Sequence, residues 1–166
     1  MSHYATEPDW PERDETSAER LDRNWNELLQ ELRVTQTGIQ ILSGFLLILP
    51  FQSRFRELTA GLEGVYLSAL LFGTLATGLM VAPVTAHRLF FRLHVKDHLV
   101  ALGNNLAKAG LLCVAVTVGL VVTLVVGATV DMLVGAIAGA GAFLTFALLW
   151  VGLPLFVVRR HIHEKE

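Results

Sequence analysis

Residues 64–91 read GVYLSALLFGTLATGLMVAPVTAHRLFF. No charge interrupts the run as far as Ala86, after which His87 and Arg88 close it. A helix rises about 1.5 Å per residue, so about 20 apolar residues cross a hydrocarbon core of about 30 Å. This run is long enough to do so. It ends on side chains suited to the headgroup level, where long cationic groups keep their charge in water. It reads as a membrane-spanning helix, and the rest of the chain can be judged against it.

Outward from it, three more stretches share its character. Spans are expected at about 34–51, 65–86, 106–126 and 133–158. Of the 166 residues 53% are hydrophobic and 17% charged, with a mean hydropathy of +0.53. The shortage of charge is concentrated: from Leu106 to Val158 only Lys108 and Asp131 are ionised. A soluble helical domain needs a polar face on nearly every surface helix. Residues 109–130 and 132–158 offer none, which excludes that class. The first span is the most polar, since Gln36 and Gln40 interrupt it.

Short-loop cations orient the spans. Arg88, Arg92, Lys96 and Lys108 lie between spans two and three, and Arg159, Arg160 and Lys165 follow span four. The positive-inside tendency then puts both termini and the central loop in the cytoplasm, in a multi-pass cytoplasmic-membrane protein. Arg54 and Arg56 in the first loop run against this assignment. Residues 1–15, rich in charge and proline, are expected to be a disordered tail. Thr16 followed by Glu19 fits a capping box. Leu21, Trp25, Leu28, Leu29 and Leu32 then recur at helical spacing, predicting an amphipathic cytoplasmic helix over 16–33 with Trp25 as an interfacial anchor. Residues 159–166 form a cytoplasmic tail. The polar, acidic start runs in the wrong order for a secretory signal. The lone Cys113 falls in an apolar run and is expected to pack there.

Membrane helices approach through small residues. Ala69, Gly73 and Thr77 supply such a face in span two, Ala115 and Gly119 in span three, and Gly135 and Gly139 in span four. Pro83 falls inside span two and predicts a local bend. The fold class expected is all-α: an integral-membrane four-helix bundle with the N-terminal amphipathic helix attached.

Chemistry is sparse. A proton or sodium carrier usually needs an ionisable group at membrane depth, whereas Glu31, Glu63 and Asp131 all fall at span ends. Gln36, Gln40 and Ser43, with Pro83, are candidates for an interhelical contact or a polar path. A pore would need several chains. His87, His94 and His98 are spaced seven and four apart, but no carboxylate completes a metal set on that face. With Arg88, Arg92 and Lys96 they read better as a basic collar touching lipid headgroups, anionic ones above all, or a partner. No nucleophile elbow, phosphate loop or CxxC occurs, so neither an enzyme nor a cofactor is expected. The balanced net charge of -2 gives no reason to expect nucleic acid.

The segments ELRVTQTGIQILSGFLLILPFQSRF (31–55) and APVTAHRLFFRLHVKDHLV (82–100) resemble two blocks of a small, uncharacterised actinobacterial membrane-protein family. Some of its members carry a sodium:proton antiporter label. The resemblance implies four spans and no known activity, and it draws interest to Glu31, Arg33, Gln36, Gln40, Pro50, Arg54, Pro83, His87 and Arg88. The function expected is a structural, assembly or accessory component of the membrane, as a homo-oligomer or with a membrane-protein partner. A small oligomeric transporter or channel is the alternative.

Overall fold

The structure, a computed structural model, describes residues 16–90, 96–153 and 155–156. Four long helices account for most of them: α1 (Ser17–Ile48), α2 (Ala60–Phe90), α3 (Lys96–Thr129) and α4 (Met132–Ala147), the last continuing through a π turn at Leu148–Gly152. All four are long and apolar enough to cross a membrane. At 32, 31 and 34 residues, α1, α2 and α3 are about 48, 46 and 51 Å long. Each exceeds a bilayer core of about 30 Å.

Local chemistry sets the ends. The Glu19 N–H donates to Thr16 Oγ1 at 3.3 Å, and the Thr16 N–H donates back to Glu19 Oε2 at 2.8 Å. The Thr16 N–H foremost, and the Thr16 hydroxyl that donates to the same oxygen at 2.8 Å, hold the Glu19 carboxyl below its ordinary range. From there α1 runs unbroken, so residues 16–33 and the first span share one rod. Pro50 then brings it to a stop in a tight 3-10 turn, Leu49–Phe51. A second, Ser53–Glu57, folds Phe55 edge-on against Tyr66, with ring centres 4.9 Å apart. Leu46, Leu62, Tyr66, Ala69 and Leu124 bury one another beneath this loop.

The turn between α3 and α4 is the tightest connection. Asp131 Oδ1 accepts from the Leu133 and Val134 N–H groups at 2.8 and 3.0 Å, capping α4. Asp131→Ala is expected to lower stability by about 1 kcal/mol, and Asp131→Asn by far less. Chemical denaturation in detergent checks both.

Packing is unequal. α2 and α4 both lie along α3, α1 rests on α2 and α3, and α4 barely meets the other two helices. The bundle is therefore open on the α4 side. Where α3 and α4 meet, Gly119, Thr123 and Gly127 face Gly135 and Gly139. A Cβ on Gly135 would sit 2.6 Å from both the Gly127 nitrogen and the Thr123 carbonyl oxygen. Only glycine permits that approach, which brings Cα–H groups against facing carbonyls. The exterior is apolar, with Val34, Phe45, Leu71, Leu112, Ile137 and Leu148 all exposed. Such a surface suits hydrocarbon rather than water.

Candidate functional site

Two places hold the polar residues singled out by the sequence. The first is the end of the molecule where α1 begins, α2 finishes and α3 starts. Chain reversal through the 49–59 loop brings these three helix ends together. His87 and Arg88 occupy the last turn of α2, and Lys96 and His98 the first turn of α3. The collar thus brackets the α2–α3 connection. Arg92 and His94 lie outside the described residues.

Trp25, expected as an anchor in the membrane surface, is instead buried between helices, with 7% of its surface exposed. Its ring and Leu28 lie over Gly103 of α3, where a Cβ would come 3.1 Å from each. One turn on, Leu32 joins Ile39, Ala76, Met80, Ala107 and Cys113 in a continuous core. The apolar stripe of 21–32 was legible in the sequence, but at Trp25, Leu28 and Leu32 its cover is protein. Glycine at 103 makes the notch that receives the indole. On the opposite side Asn26, Glu27, Gln30, Glu31 and Arg33 are exposed. The Arg23–Glu27 pair, 3.9 Å apart and exposed, adds little to stability.

The second place is the mid-length of α1–α3. A Cβ on Gly73 would lie 3.3 Å from Ser43 Oγ and 3.5 Å from Thr117 Cγ2, so the three helices crowd together at this glycine. Thr117, fully buried, donates its hydroxyl to the Cys113 carbonyl at 2.7 Å. Ser43 Oγ is buried with no hydrogen-bond partner. Gln36, about two turns earlier on α1, is half-buried and Gln40 is exposed. Ser43 therefore points inward while Gln40 looks out, and the stripe does not form a continuous line toward the core. Pro83 is fully buried inside α2, which continues to Phe90. Its missing N–H leaves the Leu79 carbonyl without its usual helical donor.

Among the described residues no three His, Cys, Asp or Glu side chains gather to hold a metal. Asp131, weighed as a carrier group, spends its carboxylate on the start of α4. A model of a family of unknown function, DUF6328, matches residues 14–154. The chain belongs to this family. No curated protein and no solved structure matches it. For DUF6328 the match takes in all four helices and the stretch of α1 that carries Trp25.

Two features of this DUF6328 chain escaped the sequence reading. Thr117 looks like one more small residue in an apolar run, and only the fold brings it beside Ser43. Thr123 and Gly127 extend the Gly119 stripe at four-residue spacing. That signal was available, but a threonine among valines reads as ordinary.

Proposed function

We infer that this chain is a multi-pass protein of the cytoplasmic membrane, acting as a structural or assembly component with both termini in the cytoplasm. The observation that carries this reading is the length of α1, α2 and α3 together with the burial of Trp25 on Gly103. Three helices about 15–20 Å longer than a bilayer core overrun it at the shared cytoplasmic end. The Trp25–Leu28–Gly103 contact makes that overhang a packed stem. Its outer side, with Asn26, Gln30, Asn105 and Lys108 exposed, is the surface offered to a partner. His87, Arg88, Arg92, His94, Lys96 and His98 form the basic collar read as the contact for anionic headgroups, each cation near the surface contributing about 1 kcal/mol.

Photo-crosslinkers placed at Gln30 and Asn105 in native membranes test this. One stoichiometric protein adduct from both positions, and none from Leu144 on the exposed side of α4, is the expected result. Absence of stem adducts counts against the assembly role.

One observation favours a second reading, an oligomeric transporter: the unpartnered Ser43 hydroxyl at mid-length. Purified chain in proteoliposomes distinguishes the two. A cation or proton flux abolished by Ser43→Ala would displace the assembly reading. If the hydroxyl is only structural, Ser43→Ala is neutral or slightly stabilising, because it removes an unsatisfied buried group.

A further inference from the structure

We propose that α1 is the self-association helix of this protein, pairing with α1 of a second copy along a seam centred on Gln40. The inference rests on the membrane reading above and deepens it by naming the partner surface within the bilayer.

The outward side of α1 carries Asn26, Gln30, Arg33, Thr37, Gln40, Gly44 and Leu47. Their spacing alternates four and three, the repeat that keeps one seam of a helix facing a partner over several turns. Every one of them except the half-buried Gly44 is exposed. The inward side of the same helix holds Trp25, Leu32, Ile39 and Leu46. The polar seam is thus one flank of the surface that the chain leaves uncovered, beside the apolar stripe Val34, Ile41, Phe45 and Ile48.

Gln40 is the decisive member. Ser43, one turn away, meets Gly73 near the middle of the second apolar helix, which places Gln40 well inside the hydrocarbon. Its amide has two donor hydrogens and an acceptor oxygen, and among the described residues it makes no side-chain hydrogen bond. Thr37 differs, since its hydroxyl donates to the Arg33 carbonyl at 3.0 Å. Lipid cannot satisfy an amide, so the group seeks a protein partner.

A second copy supplies one of matching form. Two copies inserted in the same sense bring their α1 helices together in parallel, and a two-fold axis along the membrane normal sets residue 40 opposite residue 40. Each amide can then donate to the other's oxygen, so the pair is satisfied symmetrically. Gly44 allows the approach: a Cβ there, or on Gly38 at the flank, would have no neighbour within 4 Å. Arg33 lies about 10 Å nearer the cytoplasmic face, where two guanidinium groups can turn out to lipid phosphates.

The experiment is cysteine scanning of 37–45 in a full-length Cys113→Ala background, with oxidative crosslinking in native membranes. Dimer maxima at Thr37→Cys, Gln40→Cys and Gly44→Cys, with minima at Gly38→Cys, Leu42→Cys and Phe45→Cys, are expected. Energy transfer between labelled copies diluted in vesicles then gives the affinity. Gln40→Leu should weaken pairing about tenfold, equivalent to about 1.4 kcal/mol, while Gln40→Asn keeps most of it. A monomer at all densities, a dimer indifferent to Gln40→Leu, or maxima on another face would each overturn the proposal. Crosslinking of Gln40→Cys to an unrelated membrane protein would overturn it as well. Carbonate extraction and the Asn105 crosslink, which lies off the α1 seam, score the underlying reading separately. A chain that stays in the membrane and crosslinks through its stem yet never pairs loses only the α1 seam.

Discussion

Gly135→Ala and Gly139→Ala are each expected to destabilise the protein by about 1–3 kcal/mol, and Gly139→Val by more. The reason is what an added methyl group would meet. At Gly135 the nearest atoms are the Gly127 nitrogen and Cα, at 2.6 and 2.7 Å, and the Thr123 carbonyl oxygen at 2.6 Å. At Gly139 they are the Thr123 hydroxyl and the Gly119 carbonyl oxygen. Backbone cannot swing aside as a flexible side chain can, so α4 must move off α3. α4 has little other support in the fold, and the whole helix feels the change. The two sites share partners, so the double variant should fall short of the sum. Gly141→Ala is the internal control. A Cβ there meets nothing within 4 Å, and alanine's helix preference should leave stability unchanged or up to about 1 kcal/mol higher. Thermal or denaturant unfolding in micelles or nanodiscs ranks all five variants. Equal losses at 135, 139 and 141 would disprove the close crossing.

Trp25→Ala is expected to remove about 3–5 kcal/mol. The indole is almost wholly covered and lies in the Gly103 notch beside Leu28. An interfacial tryptophan in lipid would lose far less on truncation, so the magnitude separates the two settings. Gly103→Leu attacks the same contact from α3 and should loosen the same segment. Hydrogen exchange locates the effect: amides of 23–32 and 101–107 should exchange faster in both variants, with those of the α3–α4 crossing unchanged. A loss below about 1 kcal/mol, the usual range for surface changes, would return Trp25 to the membrane surface.

Long apolar runs made the helices legible, because a run that lacks a polar face has few alternatives to spanning a bilayer. The small-residue faces were legible as faces, but not their partners. Gly135 and Gly139 could have served a second chain as well as α3, since a stripe carries no address. The stem was harder to see. Asn104 and Asn105 give the start of α3 a polar look, so the apolar part alone, from Leu106, was read as the span. The added turns that begin at Lys96 are the ones that receive Trp25. At the collar, charge and spacing can be read directly, whereas the side-chain positions of its histidines depend on contacts beyond sequence periodicity.

The two-residue turn at Val130–Asp131 has a bearing on how the chain matures. α4 needs only its immediate predecessor, whereas α1 must wait for α3 before Trp25 finds Gly103. The last hairpin therefore closes through partners near in sequence, and the stem through distant ones. Asp131 holds the turn through the Leu133 and Val134 N–H groups, so the last hairpin is closed by groups adjacent in its own chain.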